Sequence, residues 1–472
     1  MAILKNSYRD SLSDKFYSDQ LPTPVENPET ICFNPELAET LELPKELSNP
    51  ELAIEYLSGK EVLKGTHPIA QAYAGHQFGQ FTMLGDGRAI LLGEQVVEDD
   101  RFDIQLKGAG VTKYSRRGDG RATLSSMLRE YLMSEAMFHL GINTTRSLAV
   151  MKTGEPVYRE QVNDGAVLTR IAKSHIRVGS FEYARYYTDE LEAFTKYVIE
   201  RHDADLLGHE NYAIEFLKSV MNRQIDLIVD WMRVGFIHGV MNTDNMSIAG
   251  ETIDYGPCAF MNAYQPKTVF SSIDRQGRYA FGNQPHIAHW NLAILANSLL
   301  PLIHTDEKVA VAQAEEVIQS FPQEYTEKYQ HMMRQKLGLV KAEHSDQQLV
   351  EDLLNLLEKH KVDYTNFFTS LRFQSIEEKL QSDAEFKAWH SRWREAFNRT
   401  NNQSEGSVLM EQSNPIIIPR NHLVEDVLKR ATEGDMSPFN ALMIKLSNPY
   451  KPQESQLVPS EFDQSYQTFC GT

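Results

Sequence analysis

The sequence predicts an α+β protein of two lobes, a small strand-rich one followed by a larger helical one. Three observations predict it. Apolar runs of strand length, broken by Gly-Asp-Gly and Glu-Asp-Asp turns, cluster between residues 80 and 107, and two more strand-like stretches follow at 155–160 and 165–172. A single strongly periodic helical stretch, 123–141, lies among them. Beyond about residue 190 the recognisable periodicity is mostly helical. Hydrophobic content of 41% and aromatic content of 10% in 472 residues are ample for a packed core.

Residues 1–60 are rich in Pro, Glu and Asn, so 1–70 is expected to be a loop-heavy N-terminal extension with short helices wrapped on the core. A small lobe is expected over 71–185. Its strands come from "FTMLGDGRAILLGEQVVEDDRFDIQLKG", "EPVYRE" and "GAVLTRIA", and its helix from "TLSSMLREYLMSEAMFHLG". That helix carries Leu124, Met127, Leu128, Tyr131 and Leu132 at helical spacing, with Thr123 to cap its start and Gly141 its end. A helical lobe is expected over 186–400. It holds the amphipathic stretch 213–235, helices near 307–338, 346–360 and 383–398, and a short hairpin over 246–256. An irregular break is expected at 405–421 before a last helical segment, within a C-terminal extension 401–472.

The formal net charge of −18 argues against a general nucleic-acid or anionic-membrane partner, although "KYSRRGDGR" (113–121) is a local basic cluster able to hold phosphate. Three cysteines, Cys32, Cys258 and Cys470, have neither C-x-x-C nor zinc spacing and suit a reducing compartment. The N-terminus has no apolar core of signal-peptide length, and "NLAILANSLLPLI" (291–303) is too short to cross a bilayer. A cytoplasmic protein without a membrane partner is expected.

The residues able to do chemistry come in a particular order. "DIQLK" (103–107) closes a strand with Lys107, and the following helix offers Glu130 and Glu135 as partners. Helical geometry puts Glu135 on the apolar stripe and Glu130 beside it, and periodicity does not choose between them. "LGDGR" (84–88) and "RRGDGR" (116–121) are Gly-rich turns with arginines, either plain hairpin turns or phosphate cradles. Arg170 and Arg177 in "LTRIAKSHIR" read equally as a surface charge pair or a phosphate clamp. Then comes "HGVMNTDNMSIAGETIDYG" (238–256), in which His238, Asn245 and Asp254-Tyr255-Gly256 fit the H-R-D-x-x-x-x-N and D-F-G elements of a protein kinase. An amide oxygen and a carboxylate in this order suit Mg²⁺ shared with phosphates. Val240 stands where a kinase keeps its catalytic Asp, and Asp244 is the nearest carboxylate able to take a proton. The layout is therefore read as a small nucleotide-binding lobe on a larger helical one, with a kinase-like site whose base is displaced.

Together, "AQAYAGHQFGQF", "LGDGRAILLGE", "QLKGAG…YSRRGDGRA", "REYLMSEAM", "HGVMNTDNMSI" and "IDYGPCAF" closely resemble the selenoprotein O family, from about residue 25 to the last residues. The resemblance implies a protein adenylyltransferase with a kinase-like fold, moving AMP from ATP to Ser, Thr or Tyr hydroxyls, its own included. It implies a nucleotide inverted relative to a kinase, with the α-phosphate beside the acceptor. Gly85, Gly87, Arg88, Lys107, Asp119, Gly120, Arg170, Arg177 and Asp254 would then hold ATP, with Glu130 as the ion-pair partner of Lys107. Asp244 would accept the proton, and Asn245 and Asp254 would bind Mg²⁺, or Mn²⁺ in its place. It also implies a bacterial, cytoplasmic member whose Cys470, in "FCGT", replaces selenocysteine. A redox role for Cys470, through a disulfide with Cys258 or a partner, is weighed against an inert thiol. Two alternatives to AMP transfer remain: an orthodox kinase moving the γ-phosphoryl group with Asp244 as base, and a non-catalytic ATP-binding scaffold.

Overall fold

The computed structural model describes residues 4–373, 375–376, 378–399, 402–454 and 466–469 of the chain. It is a mixed α+β structure with a sheet-rich N-terminal region and a helical C-terminal region. The first ten strands are β1 (Tyr17–Asp19), β2 (Glu29–Phe33), β3 (Ile69–Gln71), β4 (Ala74–Gln77), β5 (Gln80–Met83), β6 (Ala89–Val97), β7 (Asp100–Lys107), β8 (Ala122–Thr123), β9 (Arg146–Tyr158) and β10 (Val162–Ala172). Eight of them form one antiparallel sheet in the order β1-β3-β6-β7-β10-β9-β2, with β8 beside β10, while β4 and β5 make a separate hairpin.

Register decides what each face of the sheet does. Leu168 lies opposite Lys107 and Arg170 opposite Gln105, so Gln105, Lys107 and Arg170 share one face. Helix α1 (Leu124–His139) packs on that face and carries carboxylates toward it. Ile104, Leu106, Val167 and Ile171 point the other way, against Leu41, Leu47, Ala53 and Leu57 of the N-terminal segment. Alternation along β7 thus sends apolar side chains into the N-terminal helices and polar ones toward α1. Thr123 caps α1, its Oγ1 accepting from the Ser126 amide at 3.3 Å, a cap worth about 1 kcal/mol.

Helix α2 (Val178–Tyr187) follows β10 directly, and α3 (Tyr212–Val234) buries Phe216, Val220, Leu227 and Trp231. Gly235 at φ +76 ends α3 in the left-handed conformation and passes the chain to β11 (Phe236–Ile237). β11 pairs with β12 (Ala259–Phe260), so residues 238–258 form a loop closed at its base. The helices expected near 307–338, 346–360 and 383–398 are found at Glu307–Lys336, Ser345–His360 and Ala384–Phe397.

Two expectations are corrected. The run 246–256 is not a hairpin, because Ser247 bridges to Arg177 and Thr252 to Thr144. Its backbone groups are satisfied by the sheet-rich region, which removes any need for them to pair with each other. The stretch 405–421 is not irregular throughout: a helix spans Gln403–Ser413 despite Gly406 and stops just before Pro415. Among the described residues no helix is long and apolar enough to cross a membrane.

Candidate active site

A cleft of about 770 Å³ opens between the sheet and the 238–258 loop, within the range of cofactor and nucleotide sites. Gly85, Gly87, Arg88, Lys107, Asp119, Gly120, Arg170, Arg177, Asp244, Asn245 and Asp254 all line it. Glu130 does not reach the cleft and sits behind Lys107. The Lys107 Nζ donates to Glu130 Oε2 at 2.7 Å and also to Asp254 Oδ1. Arg170 donates through Nε to Glu130 Oε1 and through a terminal nitrogen to Asp254 Oδ1 at 2.7 Å. Two cations and two carboxylates thus close a buried ring at the point where β7, β10, α1 and the loop meet.

Glu135 has a different role. It takes Arg146 on both oxygens, at 2.9 and 2.7 Å, together with the Ser147 amide and the Asn34 side chain. It pins α1 to β9 and has no bond to Lys107. The choice that helical periodicity left open falls on Glu130.

Burial alone would raise the carboxyls of Glu130 and Asp254. The adjoining Arg170 and Lys107 outweigh it and hold both below the usual carboxylate range. Asp254 has φ +67, in the left-handed region that Asp enters more readily than most residues, and its carboxylate meets Lys107 and Arg170. His238 supports it from below: the ring Nε2 bonds the Ile253 carbonyl at 2.9 Å, and burial lowers the ring's pKa, as for a neutral imidazole. Val240 is buried at 6% exposure and lines no part of the cleft.

Asp244 and Asn245 lie in a single 3-10 turn, Thr243–Asn245. The Asn245 Nδ2 donates to the Val240 carbonyl at 3.0 Å, which turns its amide oxygen the opposite way. Asp244 is 8% exposed, and burial pushes its carboxyl up to about 6 against the pull of Arg177. Its Oδ1 has no hydrogen-bond partner among the described residues. It packs so closely on β4 that a Cβ added to Gly75 would lie 2.5 Å from that oxygen. Position 75 therefore admits only glycine if Asp244 is to keep its place.

The remaining predicted residues frame the mouth. Arg177 stacks 4.2 Å above the Tyr73 ring and lies 3.8 Å from Asp86. Asp119 takes Arg159 on both oxygens at 2.8 and 3.0 Å. Gly120, at φ +67, passes so close to the Gly110 carbonyl that an added Cβ would lie 2.0 Å from its oxygen. The cleft is thus lined by many cations, and its acids are already paired with arginines or buried beneath them.

Comparison with protein families gives a match to the model described as protein adenylyltransferase SelO over residues 3–447. The chain belongs to the SelO family. A protein nucleotidyltransferase YdiU of Bacillus cereus (strain B4264) is 50% identical over 479 aligned residues, covering 99% of this chain and 98% of the relative. Proteins of the same name from Bacillus thuringiensis (strain Al Hakam) and Bacillus anthracis (strain CDC 684) match at the same identity and coverage.

Several residues of this SelO-family cleft carried no assigned role from sequence: Tyr73, Gln77, Asp86, Tyr114, Arg116, Arg117, Arg121 and Arg159. Arg159 lies in "EPVYRE", where strand patterning is the only local signal, and the β9–β10 hairpin brings it to Asp119. The three arginines of "RRGDGR" were legible as a basic cluster, though not one by one. Cys470 lies outside the described residues. Cys258, its suggested partner, is fully buried with its thiol pushed up to about 12 by burial, an unreactive setting.

Proposed function

We propose that the protein transfers AMP from ATP to Ser, Thr or Tyr hydroxyls of proteins, including its own, with release of pyrophosphate. The observation that carries this reading is the placement of Asp244. It is a buried carboxylate at the cleft wall, next to Asn245, in a loop whose usual base position holds the core residue Val240. The family to which the chain belongs supports the same reaction. We further propose a protein-kinase-like arrangement, with a nucleotide lobe over 71–185, a helical lobe over 186–400, and flanking extensions 1–70 and 401–472.

In this reading Lys107, Arg88, Arg170 and Arg177 grip the phosphates, and the glycines at 85, 87 and 120 let backbone approach them. Asp244 accepts the proton of the attacking hydroxyl. The new bond joins the hydroxyl oxygen to the α-phosphorus, and the bond from that phosphorus to the pyrophosphate oxygen breaks. The cations meet the charge that builds on the leaving group.

The donor set fits Mg²⁺ or Mn²⁺. Asn245 presents an amide oxygen, and Lys107 and Arg170 both reach Oδ1 of Asp254 rather than Oδ2. Two oxygen ligands from the chain would leave room for phosphate oxygens and water, which suits Mg²⁺. Asn245 and Asp254 would hold the ion, which when bound offsets phosphate charge and polarises the phosphoryl oxygens.

Incubation with ATP labelled at the α or the γ position tests the reaction. Only the α label should enter protein, with pyrophosphate as co-product. Uptake of γ label with ADP release would instead make the protein an orthodox kinase, and tight ATP binding without uptake of either label would make it a scaffold. A pH profile gives a second check. A carboxyl must be ionised to accept a proton, and burial raises that of Asp244 to about 6. The kcat/KM for ATP, which reports the free enzyme, should therefore fall as pH drops through about 6 and level off above it. A flat profile from pH 5 to 7 would remove Asp244 as the titrating base.

A further inference from the structure

The turn that carries Asp244 is held by a buried cluster that the proposed chemistry does not use. Glu182, on α2, is wholly inaccessible, at 0% exposure. Its Oε2 accepts from the Thr243 hydroxyl at 2.5 Å, and its Oε1 lies 2.5 Å from His76 Nδ1, off the hydrogen-bonding direction. The Thr243 hydroxyl in turn accepts from the His76 amide at 2.7 Å, so carboxyl, hydroxyl and hairpin backbone form a continuous chain. One residue earlier, Asn242 Oδ1 accepts from the Phe78 amide at 3.0 Å and from the Tyr279 hydroxyl at 2.6 Å. The β4–β5 hairpin is thus fastened to the turn at two successive residues, just before Asp244. The helix comes equally close, since a Cβ on Gly179 would lie 2.0 Å from the Ala74 carbonyl oxygen.

A buried carboxyl is costly unless its partners repay it. Here its partners sit on two elements far apart in sequence from each other and from α2, namely β4 and the 242–245 turn, so the cost is accepted at the one place where the three elements must keep register. Core packing alone would be served as well by an apolar side chain at 182.

We propose that Glu182 is a positioning residue: through Thr243 and His76 it fixes the 242–245 turn against the β4–β5 hairpin and keeps Asp244 turned to the cleft. This rests on the reading of Asp244 as proton acceptor. It is not a catalytic residue, because it touches neither the cleft nor the reacting atoms.

Glu182→Gln keeps shape and volume but replaces an oxygen acceptor by a donor facing the Thr243 hydroxyl or the His76 ring. It should lower kcat for AMP transfer about tenfold or more while the KM for ATP changes less than about twofold. Thr243→Val should lose kcat to a similar degree, and Thr243→Ser, which restores the hydroxyl, should regain most of it. The double variant Glu182→Gln/Thr243→Val should be no worse than the poorer single one, because both cut the same link. Hydrogen exchange at the 242–245 amides is read in parallel and does not depend on activity. It should quicken in Glu182→Gln, with exchange in α3 unchanged. Unchanged exchange at 242–245, or fully additive losses in the double variant, would overturn the proposal. Failure of the functional reading would show separately, as uptake of γ label by the unmodified protein.

Discussion

Asp254→Ala is expected to lower AMP transfer by at least about a thousandfold while the chain still folds. The carboxylate is asked to do two things. In the proposed reaction it would hold, together with Asn245, the cation that offsets the phosphates, an effect of several kcal/mol on a charged transition state, and about 4 kcal/mol is already a thousandfold in rate. It also shares Lys107 and Arg170 with Glu130. Removing one partner from a fully buried ion cluster costs about 3–5 kcal/mol of stability. The Asp254 side chain is 30% exposed to the cleft, so water can take its place and the cost should be smaller. The check is uptake of α label beside a thermal melt. Removing the metal with EDTA should reproduce the loss in the unmodified protein. Full activity in the variant or in EDTA would take this carboxylate and its ion out of the reaction.

Local pattern made most of the elements legible. β6, β7 and α1 follow from alternation, Gly-Asp turns and an i, i+3, i+4 stripe, and the order Lys107, Glu130, Asn245, Asp254 is readable as a sequence of parts. Whether Glu130 or Glu135 meets Lys107 was not readable from periodicity, and only the family resemblance pointed to Glu130. Helical periodicity places the two side chains on adjoining faces, and the decision lies in how β9 and β10 sit under α1: Arg146 of β9 takes Glu135, and Arg170 of β10 takes Glu130. The supposed hairpin over 246–256 failed for a related reason. Short apolar runs around Ala-Gly look alike whether they pair with each other or with distant segments, and here Thr144 and Arg177 were the partners. Glu182 and His76 were invisible as a pair because nothing local joins residues about a hundred positions apart. "AQAYAGHQFGQF" carried part of the family resemblance, but nothing in it tells what His76 touches.

Asp244→Ala is expected to lower uptake of α label by about a hundredfold or more while leaving ATP binding nearly intact. General-base catalysis typically contributes about 10²–10⁴-fold, which sets the scale of the loss. Binding should survive because Lys107, Arg88, Arg170 and Arg177, the cleft cations proposed to grip the phosphates, are untouched. Removing a buried carboxylate next to Arg177 also makes the cleft more positive, which favours a polyanion. The loss should therefore fall on kcat and hardly on KM for ATP. Asp244→Asn sharpens the test, since it keeps the shape packed against Gly75 but cannot take a proton. It should be about as impaired as alanine if proton transfer is the role, and close to unimpaired if Asp244 only shapes the turn. Adding Val240→Asp to the alanine variant should restore nothing. Position 240 lies in the core at 6% exposure, so a carboxylate there would be buried away from the acceptor hydroxyl. Recovery of activity in that double variant would mean that the base can act from the kinase position, and that the reaction is an orthodox phosphoryl transfer.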